Sequence, residues 1–311
     1  NDQTLEVQFD PARHDSADKT FSSFYGGITI KGGNDATAGD SELDALLDMI
    51  FSKDVEVSRF LVTKLYRWFI YYQIDDATRT NVIEPLAKML RDNSWEILPV
   101  LTTLFNSAHF FDTANQGCQI KSPVDLMVGL FRETSIALPS PTDVPTRYQL
   151  MRMAGWFGYE LQQSPCDPPD VSGWKAYYQS PNYYEIWINS DTYPKRNQFT
   201  DMMLITGYTF NNFLWKVDPL AVAETMPNPS DPNQLLTDIL AVFYRVPLSA
   251  ATKDRIKHDI LLSGQSNDYY WTHAWTTYVA DPTNAMAAVM VSERLNGLFK
   301  YLMDLAEYQL S

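Results

Sequence analysis

The sequence of 311 residues has only two cysteines and four histidines, so few side chains are available for thiol or metal chemistry. Cys118 and Cys166 form no Cys-x-x-Cys pair, and no His-Glu-x-x-His, Gly-x-Ser-x-Gly or P-loop pattern occurs. The most recognisable zinc, α/β-hydrolase and nucleoside triphosphatase sites are therefore excluded.

Long apolar runs and clusters of basic residues are also missing. The apolar runs fall far short of the ~20 residues that cross a bilayer, and the start does not resemble a signal peptide. Acidic residues number 38 against 24 basic ones, giving a formal net charge of -14, which repels nucleic acid. We expect a protein that neither spans a membrane nor binds nucleic acid. Because the chain starts at Asn1 rather than Met, we also expect it to be processed from a longer precursor.

Apolar residues recur mostly at helical spacing. The clearest helix starts at Asp54, with Phe60, Leu61, Leu65, Trp68 and Phe69 predicted on one broad apolar face. Other helices are expected at about 41–52, 79–92, 95–106, 122–137, 143–162, 195–213, 233–245, 249–262 and 282–308. The short runs LEVQFD (5–10) and GGITIKGG (26–33) predict a β-ribbon.

The predicted fold class is mainly α: a large irregular helical domain with a small N-terminal β-ribbon. The segment VDPLAVAETMPNPSDPNQ (217–234) concentrates proline, aspartate and asparagine, which is typical of a boundary. The prediction is a helical domain over 1–215 and a C-terminal helical portion over 216–311 that packs on it.

The stretch SPCDPPDVSGW (164–174) interrupts this helical pattern, because its three prolines fix φ and lack N–H donors. A dense aromatic run follows it. If some rings stay exposed they can stack on a planar or sugar-like ligand, and if they are buried they wedge between helices. The ligand-binding candidates on the first interpretation are Trp174, Tyr177, Tyr178, Trp187 and Asp170.

His14 is surrounded by carboxylates in an apparent loop, with Asp15 next to it and Asp10, Asp18 and Lys19 nearby. A His-carboxylate set can bind a metal or act as a general base. Such a loop can equally well only hydrogen-bond its own backbone. The catalytic candidates are His14, Asp15 and Lys19.

The other charged residues predict structural roles. The acidic stretch Asp35, Asp40, Glu42, Asp44 and Asp48 lacks the ligand spacing of a calcium loop and fits the first turn of a helix. The basic residues on apolar helices predict an ion-pair framework or, alternatively, an anion site. These basic residues are Arg59, Lys64, Arg67, Lys121, Arg132 and Arg196, and their expected partners are Glu84, Asp125 and Asp170.

Cys118 and Cys166 both lie in loop-like sequence and are a disulfide candidate. In an exported protein such a bridge would contribute roughly 3 to 4 kcal/mol, whereas in the cytosol the pair would stay reduced. The sequence leaves both states open.

Six short motifs occur in a characteristic order: FDPARHDSADKTF, FLVTKLYRWFI, SAHFF, KSPVDLMVGLFR, LQQSPCDPPDVSGW and WINSDTYPKRN. Together they resemble the bacterial domain of unknown function 1800 family over residues 5–200, with the chain expected to be the C-terminal, major part of the family domain. The resemblance implies an exported, largely helical protein and supplies no reaction.

Two functions remain as hypotheses. The first is an exported, non-enzymatic binding or assembly protein of the cell envelope, periplasmic, surface-bound or secreted, which binds a glycan or an envelope protein through the aromatic segment 170–187. The alternative is a hydrolase-like enzyme, with or without a divalent metal, centred on His14 and Asp15. Apart from that metal, no cofactor is predicted.

Overall fold

The computed structural model describes residues 9–168 and 183–311. This part of the chain is mainly α-helical, with strands confined to two small antiparallel sheets. The predicted fold class is therefore confirmed. No helix among these residues is long and apolar enough to cross a bilayer.

The chain divides into two compact units, Asn1–Phe110 and Phe111–Ser311. The expected boundary near residue 215 falls inside the second unit, whose hydrophobic core takes residues from both sides of that position, including Phe199, Trp215, Leu235 and Phe299. The two compact units are therefore divided at residue 110, and the domain division at residue 215 stays a prediction.

The first unit begins with a β-ribbon and continues with helices. Strands β1 (Lys19–Thr20) and β2 (Thr29–Ile30) pair antiparallel. The helices are α1 (Ala38–Phe51), α2 (Asp54–Phe69), α3 (Asp76–Thr78), α4 (Glu84–Asp92) and α5 (Ile97–Phe105), and the π-helical turn Arg79–Ile83 joins α3 to α4.

The ribbon differs from the prediction in its first strand. Residues 5–8 lie outside the described residues, and Phe9 and Asp10 lead into the 3-10 turn Pro11–Arg13 instead of a strand. Asp10 caps that turn, because its carboxylate accepts the N–H of Ala12 at 3.0 Å. The partner of the predicted 26–33 strand is thus Lys19–Thr20.

The core of the first unit lies between α2, α4 and α5. Helix α2 buries Ser58, Val62 and Tyr66, whereas Phe60 and Trp68 keep 58% and 49% of their surface exposed. The buried stripe is therefore rotated from the predicted face. Apolar residues surround most of α2, so periodicity alone does not select the side that packs on α4.

The second unit is built around a longer set of helices. These are α6 (Pro123–Glu133), α7 (Val144–Glu160), α8 (Thr192–Ile205), α9 (Pro219–Glu224), α10 (Pro232–Phe243), α11 (Ala250–Ile256), α12 (Tyr269–Ala280) and α13 (Ala285–Asp304). Strands β3 (Tyr208–Phe210) and β4 (Phe213–Trp215) form an antiparallel hairpin between α8 and α9. The π-helical turn Lys257–Leu261 extends α11.

The hairpin replaces the end of the helix predicted over 195–213. Helix α8 stops at Ile205, and Gly207 follows in the left-handed region with φ 68°. A Cβ at Gly207 would lie 2.5 Å from the carbonyl oxygen of Trp215, so glycine lets the two strands approach. Asn211 and Asn212, with φ 48° and 61°, form the turn.

Candidate functional site

The loop that contains His14 is fastened to helix α1 through Glu42. One carboxylate oxygen of Glu42, Oε1, lies 2.9 Å from Nε2 of His14 and accepts the backbone N–H of Gly33 at 2.9 Å. The other, Oε2, accepts a hydrogen bond from Nζ of Lys19 at 2.6 Å. The Glu42 side chain is only 10% exposed, so this carboxylate is largely enclosed by its three donors.

These contacts fix the charge state of Glu42. The hydrogen bond from Lys19, followed by the one from His14, lowers the pKa of Glu42 from 4.5 to about 2. The carboxylate is thus ionised at neutral pH and can only accept hydrogen bonds. Nε2 of His14 therefore donates in this contact, and in the neutral imidazole Nδ1 carries the lone pair.

Asp15 is directed differently from His14. Its exposed carboxylate accepts the backbone N–H of Ala17 at 2.9 Å, and its carbonyl oxygen accepts from the ammonium of Lys19. Of the three catalytic candidates, the structure brings His14 and Lys19 together on Glu42, while Asp15 stabilises its own loop. No group of three or more His, Cys, Asp or Glu side chains in the described ranges could hold a metal ion.

Sequence reasoning missed Glu42, which it assigned to the acidic start of a helix. The carboxylate is 28 residues from His14 along the chain. One signal in the sequence is that α1, the helix that carries Glu42, follows the Gly-rich end of the β-ribbon. The pairing of Glu42 with His14 nevertheless depends on how the loop folds.

A second polar cluster is buried in the second unit around Arg196, which has no exposed surface. Its Nε donates to Oε1 of Gln309 at 2.7 Å, and one terminal nitrogen donates to the carbonyl oxygen of Lys121 at 2.7 Å. Burial lowers the pKa of Arg196 to about 10, and the nearby charge of Asp125 opposes this shift. The guanidinium thus fastens the C-terminal segment to the chain before α6.

Lys121 lies beside this contact and is 4% exposed. Its Nζ is 3.6 Å from Oε1 of Glu133 and 4.1 Å from the ring centroid of Tyr308. Desolvation lowers the pKa of Lys121, although the charge of Glu133 opposes the shift. Nζ of Lys121 and one terminal nitrogen of Arg196 are buried without a hydrogen-bond partner among the described residues, so the cluster is enclosed but not fully satisfied.

The remaining basic residues have separate roles. Arg59 forms a two-point ion pair with Glu84, with Nε to Oε1 at 2.5 Å and a terminal nitrogen to Oε2 at 3.2 Å. Lys64 lies over the ring of Phe60 at 4.9 Å. Nε of Arg67 donates to the carbonyl oxygen of Tyr72 at 3.3 Å. Arg132 is exposed on α6.

The predicted aromatic ligand site falls largely outside the described residues, since Trp174, Tyr177, Tyr178 and Asp170 all do so. Trp187 is described and is only 2% exposed, so its ring is not open for stacking. The glycan hypothesis therefore stays a prediction that rests on the other four residues.

The two cysteines are thiols in the structure and not a disulfide. Cys118 is partly buried and its sulfur donates to the carbonyl oxygen of Asn115 at 3.3 Å. Cys166 is exposed, with a left-handed φ of 65°. The candidate pairing is not formed in this conformation.

An apolar groove of about 660 Å³ lies between α6 and α7. Val128 and Phe131 of α6 form one wall, Met151 and Gly155 of α7 form the other, and Arg132 lies at the margin. Helix α7 also exposes apolar side chains, since Val144, Tyr148, Met151, Trp156 and Tyr159 are each more than half exposed. Of these five, Met151 lines the groove. Sequence periodicity assigned α7 only as a helix and gave no reason to expect this uncovered face.

Comparison with known proteins gives a single family. A family model described as a protein of unknown function (DUF1800) matches residues 1–310. The match therefore extends through the C-terminal third, beyond the 5–200 range of the motifs. No curated protein and no solved structure matches.

Proposed function

The chain belongs to the DUF1800 family of proteins of unknown function, and on that premise we propose that it is a non-enzymatic binding or assembly protein that holds a partner in the groove between α6 and α7. The proposed setting is the cell envelope of a bacterium, to which the protein would be exported. Binding through the groove requires no reacting group.

The observation that carries this proposal is the uncovered apolar surface of α7. Apolar area in water is unfavourable by roughly 25 cal/mol per Å², so a continuous uncovered apolar face is typical of a binding site. The exposed side chains of α7 include Tyr148, Trp156, Tyr159 and Met151. Met151 lines the groove together with Arg132 of α6. Tyrosine, tryptophan, methionine and arginine are the residue types enriched in protein interfaces.

Gly155 provides the experiment. A Cβ added at this position meets no atom within 4 Å, so a larger side chain enters the open groove without a clash. Replacing a glycine inside a helix also favours the helix by roughly 0.5–1 kcal/mol. Gly155→Leu should therefore fold normally and fill the groove.

The measurement is the fluorescence of Nile red, an uncharged apolar dye, titrated with the protein. We expect the wild type to bind the dye and Gly155→Leu to bind it at least about fivefold more weakly, because the leucine side chain occupies apolar volume that the dye would fill. Gly129→Ala on α6 is the matched control, since its Cβ meets only a carboxylate oxygen of Glu133 at 3.9 Å. Equal dye binding by wild type and Gly155→Leu would contradict the proposal.

A glycan remains the proposed ligand of the aromatic segment, separate from the groove. Exposed rings at Trp174 and Tyr178 would stack on sugar faces, with Asp170 as a polar partner. A glycan panel tests this, with Trp174→Ala expected to lose binding that Trp95→Ala keeps. Absence of glycan binding by the wild type would remove this ligand and leave the groove proposal intact.

The contact between His14 and Glu42 favours a second candidate, a hydrolase-like enzyme. A carboxylate that holds Nε2–H leaves Nδ1 as the basic nitrogen, which is the arrangement of an oriented general base. The test is turnover of ester, phosphate and glycoside substrates together with bound-metal analysis. The candidate requires turnover that His14→Ala abolishes and that His258→Ala, at an exposed histidine, leaves unchanged.

A further inference from the structure

The charges around the groove indicate what kind of partner it takes, an inference that rests on the proposed function. The carboxylates of α6, α7 and their caps are engaged elsewhere. Asp125 and Asp143 accept backbone N–H groups at the starts of their own helices. Glu133 belongs to the buried network with Lys121, and Glu160 lies 3.3 Å from the ammonium of Lys195.

The arginines of the same two helices have no such partners. Arg132 and Arg152 are exposed, and Arg147 is partly exposed. None of the three has an ion pair or a side-chain hydrogen bond with another residue of the described ranges. Arg132 lines the groove, and Arg147 lies one helical turn before Leu150 and Met151 of the groove wall, on the same side of α7. Arg152 faces away from the groove, because it is two residues from both Leu150 and Ala154.

The shape of the surface fits an elongated occupant. Helix α7 has 17 residues, which at 1.5 Å per residue corresponds to a length of about 25 Å. Ala154 and Gly155 keep the groove wall low, so the backbone of an occupant can approach closely. An amphipathic helix in a groove between two helices is a recurrent mode of peptide recognition, with apolar anchors at i, i+3 or i+4, and i+7.

We propose that the groove between α6 and α7 binds an acidic amphipathic α-helix of a partner protein. The apolar face of that helix lies in the groove, and glutamate or aspartate side chains along its edges pair with Arg132 and Arg147. At contact distance the two arginines favour this partner over a basic helix. The net charge of -14 acts in the opposite direction at longer range, where salt screens it.

The test uses the full chain and two designed 18-residue helical peptides with the same leucine face. One carries glutamate along both edges and the other carries lysine at those positions. Fluorescence anisotropy at about 50 mM salt should give at least about tenfold tighter binding of the acidic peptide, because several partly exposed ion pairs add. Added salt should narrow that difference.

Arg132→Glu together with Arg147→Glu should reverse the preference towards the lysine peptide. The control is Arg255→Glu, at an exposed arginine of α11, which changes the net charge by the same amount as each of the two substitutions. This variant should still prefer the acidic peptide. Thermal unfolding checks that each variant is folded, and reversal of the preference cannot arise from unfolding.

Three results would overturn the inference. The first two are equal binding of both peptides and tighter binding of the lysine peptide by the wild type. The third is displacement of Nile red from the groove by the fatty acid oleate but not by the acidic peptide. In each case Nile red binding that Gly155→Leu abolishes would still support the proposed function. Failure of the wild type to bind Nile red at all would contradict the proposed function itself.

Discussion

The carboxylate of Glu42 accepts from three donors that come from separate parts of the chain. His14 belongs to the loop before β1, Lys19 to β1 itself and Gly33 to the segment after β2. One ionised group on α1 therefore holds both sides of the β-ribbon. Hydrogen bonds to a charged acceptor are stronger than those between neutral groups, which explains how so short a ribbon is kept in place.

This arrangement makes the stability of the first unit dependent on acid pH. The pKa of Glu42 is lowered from 4.5 to about 2 by Lys19 and His14. A lowered pKa in the folded state contributes stability that is complete above pH 4.5 and is lost as the pH falls towards 2. We expect Glu42→Gln to lower the urea midpoint at pH 7 and to differ less from wild type as the pH approaches 2.

The control for this variant is Glu56→Gln, which removes a carboxylate from the first turn of α2 without contacting the loop. Its urea midpoint should stay close to that of the wild type over the same pH range. A Glu42→Gln deficit of the same size at pH 2.5 and pH 7 would show that the side chain acts by packing and not by its charge.

The sequence predicts some members of this cluster and not others. The sequence indicates His14 and Lys19, because His14 is the histidine that lies among carboxylates in this chain. The nearest carboxylates in sequence, Asp15 and Asp18, instead bond to Ala17 and Lys31. Glu42 could not be identified as the partner, because a contact across 28 residues depends on the fold of the loop.

At the scale of elements, the sequence predicts existence and type of long helices better than their buried faces. Helix α12 was missed, since the run Tyr269–Ala280 is rich in aromatic residues and threonine, which favour helices only moderately. Trp271, Trp275 and Tyr278 are all buried, so tertiary packing stabilises this helix. The exposure of apolar residues on α7 could not be predicted either, because exposed and buried apolar faces of a helix have the same periodicity in the sequence.

The turn of the β3–β4 hairpin gives a prediction at this scale. Asn211 and Asn212 both have positive φ, as a type I′ turn requires, and glycine is preferred at the second position. Asn212→Gly removes the strain of a side chain on a left-handed residue, whereas the greater entropy of glycine in the unfolded chain opposes this gain. The net result should be a stabilisation of the protein by about 0.5 kcal/mol.

Asn212→Val provides the opposite change. A β-branched residue is disfavoured at positive φ, so this variant should be less stable than the wild type by about 1 kcal/mol or more. Chemical denaturation of the three proteins measures the order. If Asn212→Val were as stable as Asn212→Gly, the left-handed turn would not be the conformation in solution.

For the whole molecule, the mainly α fold and the family were both accessible from the sequence, through helical periodicity and the order of the motifs. The division into units was not. The 217–234 segment has the composition of a linker, yet the second core continues across it. The separation at Phe110 has no proline- or glycine-rich sequence, so it follows from which helices pack together and not from local composition.

The two units predict that damage to one core remains local. Arg196 is fully buried in the second unit and satisfies Gln309 and the carbonyl oxygen of Lys121. Arg196→Met leaves both acceptors without their donor, which should cost about 2–4 kcal/mol. Hydrogen exchange measured by mass spectrometry should show faster exchange in residues 111–311 and unchanged exchange in the core helices α2 and α4 of the first unit.

Lys195→Met is the matched control, because it removes the neighbouring cation, whose partners Asp191 and Glu160 are partly exposed. Exposed ion pairs contribute only about 0–1 kcal/mol, so its exchange pattern should resemble that of the wild type. If Arg196→Met instead accelerated exchange equally in both units, the two cores would unfold as one cooperative body. The charge of Glu42 would then stabilise the whole chain and not the first unit alone.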